Sequence, residues 1–385
     1  SRGATNEPRA EFDLDLTAGN KTIIRKLDVS GKGFALKGGM EISAGGTVTE
    51  ANFPTVLLND ENHFALGLQR RNDNLAVAVT GKVFDARPLI RSMFSSSRGD
   101  GVSGPAAVPT SVDVSLAKVY ANRGEVINNL EGRLQVIGGV VQQSNLQGQF
   151  VNGAPVTLRI NPGANGIREM RVTGRDGGGA LRAANLYSKI SGGSIDFQAV
   201  LGAAPSGAIQ RGLLILRNFE VRNEEVLDDI EKRSPQKRTG PRRQSLRFSK
   251  LTLPFSTDQD FVRIGDALVK SAELGASAQG IIRKADGAMD IGGTIIPAYA
   301  LNAALGEVPI LGQLLVGGKG QGVFGLNFAL KGSMRQPRFV INPVSAIAPG
   351  FLRRFFDIGG GGVAADGTPA KRKRPTTAGG SKIDN

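Results

Sequence analysis

The stretch MDIGGTIIPAYALNAALGEVPILGQLLVGGKGQGVFGLNFALKGSMRQPRFVINPVSAIAPGFLRRFFD, residues 289–357, decides how the rest of the chain is read. A strand pattern ends at Ile295-Ile296-Pro297, and two short apolar helical turns follow over 298–316, split by Gly306 and Pro309. After a glycine run, apolar residues alternate from Gly322 to Leu330, which puts Phe324, Leu326, Phe328 and Leu330 on one face of a strand. Pro337 reads as a break before a last strand at Arg338–Ile341. Asn342 and Pro343 then suit the cap and first position of a helix. On a helical wheel Val344, Ile347, Ala348, Phe351, Leu352, Phe355, Phe356 and Ile358 fill one half, and Arg353, Arg354 and Asp357 fall on the other. Pro349 bends that helix. Its apolar half can pack over the end of a sheet, enter a membrane interface or dock on a partner.

Outward from this block the same period of two recurs. It appears at Phe34/Leu36/Met40/Ile42, Phe64/Leu66/Leu68, Leu75/Val77/Val79, Val112/Val114/Leu116, Leu130/Leu134/Val136 and Val156/Leu158/Ile160. On the order of twenty strand candidates alternate with Gly, Asn-Gly and Asp-Gly turns, the signal of an antiparallel meander with one apolar and one polar face. Glycine, 53 of 385 residues, is roughly twice its usual share and sits between the apolar runs. Helical patterns are short: 85–94 and 176–190, each following a block of strands and opening on an Asp, then 223–232. The first two make a loose repeat of about ninety residues. The chain divides into a polar tail (1–9), a β segment ending in a helix (10–94), a Ser/Gly/Pro linker (95–109), a second β segment (110–231), a basic loop (232–247), a third β segment (248–357) and a basic tail (358–385).

Composition removes much catalytic chemistry. With no Cys and one His, a thiolate nucleophile, a disulfide and a Cys/His zinc site are excluded, and a Ser-His-Asp triad would have to use His63 at the start of a strand. No catalytic residue, metal ligand or cofactor site is assigned. Carboxylate pairs remain at Asp13/Asp15 and Asp228/Asp229, the first alternating with Phe12, Leu14 and Leu16 as the wet side of a strand. Gly317–Gly322 imitates a phosphate loop but follows a helix and precedes a strand, the reverse of what a dinucleotide site needs. The opening residues are polar and carry no signal peptide, and the missing initiator Met reads as a fragment of a longer protein.

The net charge is +14, and half of it lies in Lys232–Arg247, which holds seven positive and no negative residues. Lys371–Arg374 adds a second cluster. Neither run contains an aromatic stacking residue, which argues against nucleic acid and leaves anionic headgroups or plain solvation. Some twenty one-sided strands present more apolar area than these helices can cover. The faces must meet each other, in a sandwich or barrel, or meet something that is not protein.

Four stretches taken in order resemble the C-terminal region of the large AsmA-like proteins of Gram-negative bacteria, the YhdP/TamB type. They are Asn62–Leu68 with Val79–Ile90, Asp176–Tyr187 with Gly192–Phe197, the unit Leu213–Ile230, and the closing block with Pro297–Asn302, Pro309–Leu315 and Asn342–Leu352. The closing block is the specific one; the basic loop and basic tail depart from the pattern. The resemblance implies a mainly β fold, a long antiparallel sheet folded into an open, taco-like groove with a few short helices and a C-terminal amphipathic helix. It implies a bridge-like carrier that moves phospholipid or other envelope lipid between the inner and outer membranes, with no catalysis. The groove would be lined by Phe34, Leu36, Met40, Ile42, Phe64, Leu66, Leu68, Leu75, Val77, Val79, Leu130, Leu134, Val136, Phe324, Leu326, Phe328 and Leu330. A membrane surface would meet Ile347, Phe351, Leu352, Phe355, Phe356, Arg353 and Arg354. The implied location is the periplasm, with an inner-membrane anchor N-terminal to this chain and envelope proteins as partners. A structural or adhesive β-repeat protein with a closed core is the alternative, and a carboxylate enzyme acting on polysaccharide or lipid A is a third.

Overall fold

The computed structural model describes residues 9–17, 21–94, 108–202, 208–222, 245–272, 274–297, 326–333 and 336–342. A first block comprises β1 (Arg9–Thr17), β2 (Lys21–Gly31), β3 (Phe34–Ile42), β4 (Val48–Leu58), β5 (His63–Arg71), β6 (Asn74–Asp85) and helix α1 (Arg87–Phe94). A second comprises β7 (Thr110–Tyr120), β8 (Val126–Ile137), β9 (Val140–Phe150), β10 (Pro155–Pro162), β11 (Arg168–Gly174) and helix α2 (Gly177–Ala183). A third comprises β12 (Ile190–Ser191), β13 (Ser194–Leu201), β14 (Ile209–Arg222), β15 (Ser245–Thr257), β16 (Phe261–Ser271), β17 (Leu274–Arg283), β18 (Ala288–Pro297), β19 (Leu326–Ser333) and β20 (Gln336–Asn342).

All twenty strands belong to one sheet. Nearly every strand pairs with its successor in the chain. Around α2, β11 pairs with β13, while β12 and β13 share one register against β14 (Ile190↔Val221, Ser194↔Arg217). Together β12 and β13 are one strand interrupted at Gly192-Gly193. The sheet is open: among the described residues β1 pairs only with β2, and β20 only with β19.

Pairing is antiparallel throughout with one exception that the expected meander lacks. β6 and β7 run parallel, Val77 opposite Val112 and Val79 opposite Val114. A parallel neighbour needs a crossover longer than a hairpin, and α1 with the residues after it supplies that length. Both strands still bring alternate residues to one face, so period alone could not tell the two pairings apart.

Three other expectations need correction. The helix expected at 176–190 stops at Ala183, because Asn185 takes a left-handed conformation (φ 57°). The amide of Leu186 then donates to Leu181 O and that of Asn185 to Arg182 O, at 2.9 Å each, a Schellman stop that frees Ile190 to join the sheet. Pro337 does not break the chain. It lies inside β20 opposite Gly332, on an edge strand where a missing amide leaves no inner ladder short of a donor. The alternating strand begins, in the described residues, at Leu326 and extends to Ser333. The helices expected over 223–232, 298–316 and 343–358, the linker and both tails lie outside the described residues.

Candidate functional surface

Directly opposed residues in neighbouring strands share a face of the sheet. Followed partner by partner, one row runs Leu14–Ile24–Met40–Ala51–Leu68–Val77–Val112–Leu134 through β1 to β8. It continues Ser144–Ile160–Met170–Ala199–Gly212–Phe255–Ile264–Gly280–Ile291–Leu330–Phe339 to the last strand. Ser144 is its one polar side chain, and no charge enters it. The opposite face contrasts sharply: there Asp113–Arg133–Asn145–Arg159–Arg171–Gln198 run in register.

Of the residues expected to line a groove, those with described side chains stand on this apolar face of the sheet. Leu66 and Leu68 oppose Val79 and Val77, Leu36 opposes Val56, and Leu116 opposes Leu130. Phe34, Leu36, Met40, Ile42, Phe64, Leu66, Leu68, Leu75, Val77, Val79, Leu130, Leu134, Val136, Phe328 and Leu330 are all half-buried. Leu326 opposes Ile295 in register, and Phe324 lies outside the described residues. The residues assigned to membrane contact, Ile347, Phe351, Leu352, Arg353, Arg354, Phe355 and Phe356, also lie outside them. Over residues 74–83 of β6 and 128–137 of β8 half-buried and exposed positions alternate, the mark of a face that is shielded by its neighbours yet not sealed.

Burial deepens toward the middle of the sheet. Ile160, Met170, Ile195, Phe197, Leu201, Leu216, Phe219 and Phe248 form one cluster with Leu181 of α2, and Phe219 stacks on Phe248 at 5.3 Å. Helix α2 sits on this face because three glycines at its start allow it: a Cβ on Gly178 would lie 2.4 Å from Ile190 O. Asp176 caps it, accepting from the amide of Gly179 at 2.8 Å and from Asn152 Nδ2 at 2.7 Å. Arg182 ties its far end to Glu125 at 2.6 Å and to Ile190 O at 2.8 Å. A smaller cluster of Ala121, Phe150 and Ala183 takes in Ile90 of α1, so both helices serve the same rim of the sheet. A depression of about 570 Å³ opens near the other end, where β2 and β4 carry bulges; Ile24, Leu27 and Met40 line it together with the charged Arg25, Lys26, Asp28, Lys37, Glu41 and Glu50.

One cation breaks the apolar character at the opposite rim, and nothing in the sequence marks it out. Arg168 opens β11 opposite Leu201 and is 3% exposed. No carboxylate answers it; Nη1 donates to Val141 O and Nη2 to Gly202 O, each at 2.6 Å, while Nε has no partner. Burial pushes its pKa down from the ordinary arginine value. The hydroxyl of Ser144 is likewise buried without a partner.

The candidates for catalysis are dispersed. His63 opens β5, half-buried; Asp13 is exposed and opposes Lys26 on the edge pair; Asp228 and Asp229 lie outside the described residues. Among the described residues no group of three His, Cys, Asp or Glu side chains could hold a metal ion. No family model matches this chain, and neither a curated protein nor a solved structure is detectably similar to it.

Proposed function

We propose that this chain is a segment of an AsmA-like carrier whose sheet curls toward its apolar face and conducts phospholipid between the inner and outer membranes. One observation carries the reading: the uncharged row from Leu14 to Phe339 crosses the open sheet of described strands, and its members from β2 to β8 are half-buried or buried. At about 4.8 Å per strand the row extends roughly 85 Å, a path long enough to matter between two membranes. Acyl chains resting on it would leave water, while headgroups stayed at the open side.

Curvature is supported by two further features. Register shifts interrupt nine ladders, and each bulge adds bend and twist to a sheet too wide to stay flat. On the apolar face neighbouring backbone closes in where side chains are absent. A Cβ on Gly132 would lie 1.9 Å from Asn145 O, and one on Gly280 would lie 2.2 Å from Asp290 O, approaches only glycine allows. This supports a face that is concave on the apolar side.

The periplasm is the compartment this reading requires, and neither cofactor nor catalysis enters it. The test is mass spectrometry of an organic extract of the purified chain. Phospholipid at a reproducible ratio to protein is expected. A chain that emerges free of lipid, folded and without exposed apolar surface to a dye, would instead support the closed structural β-repeat.

A further inference from the structure

The polar face holds a second feature, independent of the apolar row. Arg217 of β14, Lys250 of β15 and Lys270 of β16 stand directly opposite one another in register. Adjacent strands are about 4.8 Å apart, so three positive side chains share a line roughly 10 Å long. Like charges facing across a ladder destabilise it. Several cations elsewhere on this face pair with carboxylates: Lys37 meets Asp28 at 2.9 Å, Arg133 meets Asp113 at 2.6 Å, and Arg263 meets Asp258 at 2.8 Å. Here no described carboxylate forms an ion pair with the three, although Asp196 lies near enough to Arg217 to be influenced by its charge. Asp196, in the adjoining row, is held by Arg171 at 2.7 and 2.9 Å. Glu220, nearer the rim, is engaged by Arg222 at 2.6 Å and faces the exposed Arg247.

The adjoining row adds an apolar step. Ile215, Thr252 and Leu268 stand in register beside the three cations, Ile215 and Leu268 half-buried, and one row further on the same face Leu213 opposes Pro254. Arg217 and Lys270 are exposed and Lys250 half-buried. A line of cations backed by aliphatic side chains matches the headgroup layer of an anionic bilayer, where phosphate meets the charges and the upper acyl region meets the aliphatics. It lacks the aromatic platforms that a single-stranded nucleic acid would need.

We infer that the polar face of β14–β16 is a contact surface for anionic phospholipid headgroups, with Arg217, Lys250 and Lys270 as its charged line. Membrane phosphates would supply the counter-charge that no described ion pair gives this line. This contact does not depend on lipid carriage by the other face.

Binding to vesicles rich in phosphatidylglycerol, against pure phosphatidylcholine vesicles, tests it. Each charge near a membrane surface is worth about fivefold, so the triple variant Arg217→Gln/Lys250→Gln/Lys270→Gln should bind on the order of a hundredfold more weakly. Its melting temperature should hold or rise, since repulsion is removed, and lipid recovered in organic extracts should be unchanged. The chain has no cysteine, so one can be added as a probe site. An environment-sensitive label on Ser249→Cys should shift to the blue on anionic vesicles, and one on Ser115→Cys, on the polar face of β7, should not. A control variant with Arg233, Lys237, Arg238, Arg242 and Arg243 changed to Gln measures the neighbouring basic loop. Full binding by the triple variant, loss confined to the control variant, or a silent label at Ser249→Cys would each overturn the proposal. So would an oligonucleotide that binds the wild type but not the triple variant, while vesicle binding survives in both.

Discussion

Arg168 shows how a single residue can oppose the logic of the surface around it. A guanidinium buried without a counter-ion carries a desolvation penalty of several kcal/mol, and its neighbours Leu201 and Met170 offer no compensation. What offsets the penalty is geometry. One planar group reaches Val141 O on β9 and Gly202 O beyond β13, clamping two strand ends that lie on either side of β10 and β11. Charged hydrogen bonds of this kind contribute about 1.5–3 kcal/mol each, and losing both would leave two buried carbonyls unanswered. Arg168→Met should therefore destabilise the sheet by about 1–3 kcal/mol in denaturant melts, the lost bonds outweighing the relieved desolvation. Arg168→Lys should fall between, since one ammonium cannot reach both carbonyls in a plane. A Met variant more stable than wild type would show that Arg168 is retained at a cost, for a purpose other than clamping.

At the scale of elements, the two helices owe their positions to the aspartates that open them, but by different means. Asp85 accepts from the amide of Arg87 at 3.0 Å and from its Nε at 2.7 Å, while the same guanidinium also meets Glu61. Arg87 thereby holds the Asp85 carboxyl below the usual aspartate range, against a partial opposing effect of burial. A depressed pKa gives stability that is complete above the unfolded value, about 3.9, and is lost as pH falls through the folded one. The docking of α1 should thus be constant from neutral pH down to about 5 and weaken only below about 4. The Arg87 amide resonance should titrate with a midpoint under the ordinary aspartate value; a midpoint at or above it would mean that the pairing does not form in solution. These starts were legible in the sequence, since an Asp before an apolar period is a cap signal. The end of α2 was legible only in part: Asn185 is a known stop, but Leu186 and Ile190 continue the helical spacing and mask it. The parallel β6–β7 pair was hidden because alternation is the same for either direction. Arg168 was hidden because an arginine at a strand end reads as a turn residue exposed to water.

For the whole molecule, the sequence pattern of one-sided strands became a property that no strand has alone: a row of side chains, uncharged from first strand to last. Apolar faces of separate strands can be read from period two, but their continuity depends on every register, and nine bulged ladders place those registers beyond a sequence reading. Under the lipid-conducting function proposed above, continuity makes a sharp prediction, because a conduit is a series device. Leu134 and Leu330 stand in the row ten strand spacings apart, roughly 50 Å along the sheet. Each is half-buried, so an arginine there can reach water and fold, while repelling hydrocarbon from its surroundings. If the chain serves that function, Leu134→Arg and Leu330→Arg should each reduce envelope integrity to nearly the null level, as scored by detergent sensitivity of cells that depend on it. The double variant should be no worse than either single one, since a blocked path cannot be blocked twice. Stability should behave otherwise: sites so far apart share no partners, and their effects on the melting transition should add. If function is lost additively while stability is too, the defect is in folding and the conduit reading fails. If either single variant retains full function, lipid does not pass along that part of the row.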